Sequence, residues 1–176
     1  LLLDDDEAIA IAVGLRTAAG SAVKGIEETS LRALVKLEQV LPKHLRRRVR
    51  ALSEVTASSF PGSGPMVDPQ DLTVAASACR DRERLRFEYE ARDGAASRRL
   101  VEPLSLVNLG RRWYLVAWDC GREGWRTFRL DRIRRPAGAG GRCTERSLPD
   151  GDDPAAYVER NLAGAPQRYD ARVVVS

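Results

Sequence analysis

Arg111-Arg112-Trp113-Tyr114-Leu115-Val116-Ala117-Trp118-Asp119 is the stretch whose reading decides the fold. Successive side chains of a strand point to opposite faces. Trp113, Leu115 and Ala117 therefore face one way, and Tyr114, Val116 and Trp118 the other. Both faces are apolar, so this strand must be covered on both sides. One cover is the core of a sheet or barrel; the other is a helix, a partner chain or a ligand. Downstream, Cys120 to Gly124 reads as a turn and Trp125 to Leu130 as the next strand, with Phe128 and Leu130 on one face and Arg129 and Asp131 on the other. Upstream, Leu85, Phe87 and Tyr89 alternate with Arg86 and Glu88, and Arg92-Asp93-Gly94 carries the Asp-Gly pair that favours a hairpin turn. Arg98 to Glu102 reads as the return strand, stopped by Pro103, and Leu104 to Leu109 as a third strand turned at Asn108-Leu109-Gly110. Five short strands in about fifty residues predict a small antiparallel barrel or a strongly bent sheet.

Helices flank this block, which makes the fold class α+β. Asp4 to Glu7 supply a cap and a negative first turn for a helix with Ala8, Ile9, Ile11, Ala12, Val13 and Leu15 as its apolar stripe, ending near Ala19-Gly20. A second helix is predicted from about Glu27 to Leu41, with Leu31, Leu34, Val35, Leu37, Val40 and Leu41 inward. Pro42 opens a third, with Leu45, Val49 and Leu52 on one side and Arg46, Arg47, Arg48 and Arg50 on the other. No helix-turn-helix pattern precedes that arginine run, so it reads as an exposed face. Ser58 to Pro65 is a loop by composition, and Asp68-Pro69 starts a helix to about Arg82. Beyond Arg135, Pro136 to Gly141 reads as a glycine-rich link, Pro154 to Leu162 as a short helix, and Tyr169 to Val175 as a strand in need of a sheet partner. These divisions give a helical connector or dimerisation region over 1–60, a sheet domain over 68–146, and a linker helix with the first strand of an extension over 147–176.

The chain of 176 residues is 43% hydrophobic and 31% charged, a profile of a folded protein. No apolar run approaches the ~18–20 residues that cross a bilayer. Leu1-Leu2-Leu3 is followed by Asp4-Asp5-Asp6-Glu7, the wrong charge for a signal peptide, so the expected location is cytoplasmic. Cys79, Cys120 and Cys143 are widely spaced and His44 is the only histidine, which argues against a zinc site and a Cys–His nucleophile alike. Walker, GxGxxG, HExxH and GxSxG patterns are absent, so the sequence points to a non-enzyme without metal or cofactor. The net charge of +4 is concentrated: residues 84–135 hold 13 arginines against seven acidic side chains. Arginine forks suit phosphate or carboxylate, although an Arg–Asp ladder on a solvated sheet face would give the same composition.

Four ordered segments within this block resemble the WYL domain. They are Phe87-Glu88-Tyr89, Arg99-Leu100-Val101-Glu102-Pro103-Leu104, Trp113-Tyr114-Leu115, and Phe128-Arg129-Leu130-Asp131-Arg132-Ile133. The resemblance implies an Sm-like, SH3-type β-barrel that senses an effector for a bacterial transcription regulator of the winged helix-turn-helix/WYL type. It further implies that the DNA-binding head and most of a C-terminal extension lie outside this chain. Carried over by position, Tyr114, Arg129 and Arg132 would line the ligand site, with Arg99, Tyr89 and Arg98 next. The implied effector is a nucleotide or single-stranded nucleic acid, with arginines on its phosphates and the tyrosine stacking. Double-stranded DNA would be met only through the winged helix-turn-helix, and two-fold DNA sites favour a homodimer. The alternative is a dimerisation module with no small ligand.

Overall fold

Asp4 caps the first helix as its sequence predicts. Its carboxylate accepts the Glu7 N–H at 2.8 Å, and the Glu7 carboxylate accepts the Asp4 N–H at 2.9 Å, a reciprocal capping box. The computed structural model describes residues 4–55, 65–151 and 153–163. Within them are five α-helices: α1 (Asp5–Ala19), α2 (Ile26–Val40), α3 (Lys43–Val55), α4 (Pro69–Asp81) and α5 (Pro154–Ala163). Helices α4 and α5 pack on one antiparallel sheet, while α1 to α3 pack on one another, so the fold is α+β. Among the described residues no helix is long and apolar enough to cross a membrane. Most of the predicted Ser58–Pro65 loop and the predicted Tyr169–Val175 strand lie outside the described residues.

Helices α1 to α3 share a small core of Ala8, Ala12, Leu34, Leu41, Leu45 and Val49. The broad inward stripe expected of α2 is corrected here. Leu31, Val35 and Val40 are 45%, 56% and 78% exposed. Leu34 and Leu37 lie on one stripe; Leu31 and Val35 lie on a second, roughly a quarter-turn around the helix, and α1 and α3 cover only the first. Ile11 and Val13 of α1 are exposed for the same reason. Two main-chain hydrogen bonds tie this unit to the segment before α4. Val67 N–H donates to the Ala22 carbonyl at 2.7 Å, and Lys24 N–H to the Val67 carbonyl at 2.9 Å.

The sheet comprises β1 (Glu83–Glu90), β2 (Ala96–Leu109), β3 (Arg112–Asp119), β4 (Gly124–Arg129) and β5 (Ile133–Arg142), in the order β4-β3-β2-β1-β5. Two strand assignments change. Pro103 does not end a strand: β2 runs through it, with a register shift between Pro103 and Ser105. A bulge is where a proline's missing N–H is tolerated inside a ladder. The glycine-rich stretch after Arg135 is not a link but β5, paired with β1. Gly138 lies opposite Leu85, and a Cβ there would meet the Glu83 carboxylate at 2.5 Å, so a side chain at this position would have to displace the end of that glutamate.

The sheet curls. In a flat sheet β4 and β1 would be roughly 14 Å apart, three strand spacings, yet the Phe87 and Phe128 ring centroids are 5.2 Å apart and edge-on. The concave side holds Leu85, Phe87, Val101, Leu115, Ala117, Phe128, Leu130 and Ile133, closed by Val67, Ala75 and Ala78 before and along α4. The convex side of β3 is covered by α5: Tyr114 and Val116 pack with Val107, Leu148, Tyr157 and Val158. Both faces of β3 are thus covered, the second by a helix.

Candidate functional site

β3 stops at Asp119 because that side chain builds the next turn. Its Oδ1 accepts the N–H groups of Gly121 and Arg122 at 3.0 and 3.2 Å, an Asx-type closure. Glu123 then takes a positive φ of 46° before β4 begins. Asp119 is 1% exposed, and its other oxygen, Oδ2, lies 3.2 Å from Arg99 Nη1 and 3.7 Å from Arg126 Nε. The Arg99 side chain is only 12% exposed, and its Nε donates to Ser97 Oγ at 3.1 Å. A buried carboxylate thus accepts three hydrogen bonds and has a second guanidinium nearby, the condition under which burying its charge is tolerated. Beside it Arg98, Arg99, Leu100, Asp119, Cys120, Gly121 and Arg122 line an open cleft. Three arginines against one already committed carboxylate leave that cleft positive. Its chemistry suits an anion.

A second group gathers where β4 runs into the 3-10 turn Leu130–Arg132. Arg129 donates to Asp131 through two guanidinium nitrogens, Nε at 3.0 Å and Nη2 at 2.7 Å. Those hydrogen bonds to Asp131 push the Arg129 pKa up, against the opposing effect of burial. The Arg129 backbone N–H donates to the Tyr89 hydroxyl at 3.4 Å, and the Tyr89 ring meets Phe128 edge-on at 5.1 Å. Arg132, in the turn itself, is half-buried and forms no ion pair among the described residues. Tyr114 pairs in register with Arg129 but is 3% exposed beneath α5. In this arrangement no open ring face of Tyr114 is available for stacking.

The six side chains singled out in the sequence are therefore not all brought together. Arg98 and Arg99 line the cleft. Tyr89 and Arg129 meet at the 3-10 turn that carries Arg132, and Tyr114 lies under α5. Sequence reasoning missed Asp119, Arg122 and Arg126; the Asp-Cys-Gly-Arg run at a strand end was a readable Asx-turn signal. It also missed Glu102, 4% exposed on the convex side. The Arg84 guanidinium lies 2.9 Å from it, and Arg146 closes on its other oxygen. Arg146 also lies over the Trp118 ring at 4.6 Å, and Trp125 Nε1–H donates to the Ser147 carbonyl at 3.0 Å. These contacts fasten the segment between β5 and α5 across the sheet. The nearest acidic partner in the chain sequence gave no hint of them, because Arg146 is 44 residues from Glu102.

The curled antiparallel sheet thus carries α4 on one side, α5 on the other and an arginine-lined cleft at one end. Residues 70–137 match the WYL domain, and the chain contains one. Protein PafB of Mycobacterium leprae (strain TN) is 34% identical over 126 residues, 69% of this chain and 37% of that protein. Protein PafC of the same organism is 31% identical over 169 residues, 81% of this chain and 52% of that protein. The chain thus spans about a third to a half of the length of these curated relatives. Among solved structures, Proteasome accessory factor B/C (PafBC) of Arthrobacter aurescens is similar at 25% identity and a TM-score of 0.43, covering 89% of this chain and 23% of that one.

Proposed function

We propose that this chain carries the effector-sensing module of a bacterial transcription regulator, and that the effector is an anion of the nucleotide or single-stranded nucleic-acid kind. The observation that carries this reading is the cleft at the end of β3, where Arg98, Arg99 and Arg122 stand around the one carboxylate of Asp119. The similarity to PafB and PafC and the matched WYL domain support the regulatory half. In this reading the curled sheet is an SH3-type barrel, and Arg129, Arg132 and Tyr89 form a second edge of the ligand face. Tyr114 supports it from beneath α5. Residues 1–60 connect to a winged helix-turn-helix, residues 68–146 sense, and residues 147–176 lead into an extension domain. The protein works in the cytoplasm, without catalysis or cofactor, and meets double-stranded DNA only through the winged helix-turn-helix.

The test is a titration of the chain with short single-stranded DNA, RNA and mononucleotides at low salt. Phosphate contacts release counterions, so binding weakens as salt rises. If none of these anions binds at low salt, the effector half of the proposal is wrong. A second reading, a dimerisation module, is favoured by the exposed Leu31, Val35 and Val40 of α2. It gives a homodimer in sedimentation that a Val35→Asp substitution dissociates, whatever the ligand does.

A further inference from the structure

We infer that Arg98 and Arg122 are the side chains that grip the anion, while Arg99 stays committed to Asp119; this rests on the ligand-binding reading above. Five arginines of the block are already committed to carboxylates. Arg99 and Arg126 share Asp119, Arg129 holds Asp131, Arg84 holds Glu102, and Arg134 lies 3.4 Å from Glu90. Of the cleft's arginines, Arg98 and Arg122 are exposed and form no ion pair among the described residues. A guanidinium with no internal partner keeps its full fork for an incoming oxyanion.

The backbone places these two on opposite walls of one notch. β2 outruns β3: Val101 stands opposite Asp119, so residues 96–100 have β1 on one side and no strand on the other. Ala91 N–H bonds to the Ala95 carbonyl, which makes Tyr89–Ser97 and Phe87–Arg99 the hydrogen-bonded pairs of this hairpin. The N–H and C=O of Arg98 therefore point away from β1, into the notch. The Leu100 carbonyl, two residues on, points the same way and accepts the Cys120 N–H at 3.0 Å. Arg122 rises from the facing β3–β4 turn, whose shape Asp119 fixes through the Gly121 and Arg122 N–H groups. An anion in the notch meets two guanidinium forks and the Arg98 amide. The acids nearest in the chain and across the strand, Glu123 and Glu88, form no ion pair with either arginine among the described residues. Asp119, on the floor, has both oxygens occupied. The chemical class that fits is a phosphate ester.

The experiment measures binding of a fluorescein-labelled single-stranded oligothymidylate of about eight nucleotides by anisotropy at low salt, with inorganic pyrophosphate as competitor. The proteins are wild type, Arg98→Gln, Arg122→Gln and Arg47→Gln, the last removing the same charge from α3. Thermal melting of each protein confirms that the exposed substitutions leave the fold intact. A lost charge-assisted hydrogen bond weakens binding by roughly tenfold or more, so each cleft variant is expected to lose at least about fivefold relative to Arg47→Gln. A smaller loss in either cleft variant, with the wild type still binding, overturns the assignment and leaves the broader reading in place. A wild type that binds no probe at all removes both.

Discussion

Replacing Asp119 by alanine tests the framework on which the cleft is built. The carboxylate is 1% exposed and accepts from Arg99 at 3.2 Å and from the Gly121 and Arg122 N–H groups at 3.0 and 3.2 Å, with Arg126 at 3.7 Å. Its loss leaves the Arg99 guanidinium, on a side chain only 12% exposed, without a counter-charge. Removing one partner of a buried pair costs about 3–5 kcal/mol, because the remaining charge stays desolvated. The two turn N–H groups add little, since water reaches them at the exposed Gly121 and Arg122. Urea unfolding of Asp119→Ala against wild type is the assay. Asp119→Asn, which can keep the Oδ1 acceptor, should lose less. Arg99→Met combined with Asp119→Ala should cost less than the two single changes summed, by about 2 kcal/mol or more. A loss below about 1 kcal/mol in Asp119→Ala, or strict additivity in the cycle, would refute the claim that Arg99 depends on Asp119.

Leu115→Ala should cost about 2–5 kcal/mol by chemical denaturation, because Leu115 is 0% exposed at the centre of the concave core. Tyr157→Phe removes the hydroxyl that donates to the Trp125 carbonyl at 3.2 Å; it should cost about 1 kcal/mol and be readable in tryptophan fluorescence. Burial pushes the Cys79 thiol up from 9.0 to about 12, with Cys143 nearby adding to the effect. The folded state therefore holds this proton more tightly than the unfolded chain does. The stability it contributes is complete below pH 9.0 and is lost as pH rises towards about 12. Comparing unfolding of wild type and Cys79→Ala across that window should show an extra alkaline decline in the wild type only, and parallel curves would contradict it.

Much of the fold was legible because local chemistry and burial agreed. Asp4 with Glu7, and Asp68 with Pro69, announced two helix starts that the structure reproduces. The alternation from Leu85 to Tyr89, and the two-faced apolar strand from Trp113 to Trp118, gave β1 and β3. What failed had no local signature. β5 holds its place by backbone pairing to β1, and the approach of the Glu83 carboxylate to Gly138 is created only in the folded sheet. Pro103 looked like a stop because a bulge cannot be seen in one strand alone. For the site, the arginine excess was visible in composition, but which arginines are free was not. That depends on pairs such as Arg99 with Asp119, 20 residues apart, and Arg84 with Glu102, 18 apart. The pattern left a helix, a partner and a ligand as equal covers for the Tyr114 face of β3, and α5 provides the cover; the place of Tyr114 at a ligand site rests on the family resemblance alone.

The most direct test of the central claim is the salt dependence of single-stranded oligonucleotide binding to the wild-type chain. One phosphate gripped by Arg98 and Arg122 together should give a plot of log affinity against log salt with a slope of about −0.7, the value for one phosphate contact on a single strand. Binding that is tight at low salt and falls along that line supports an anion-sensing cleft. No binding at low salt, or binding indifferent to salt, contradicts it.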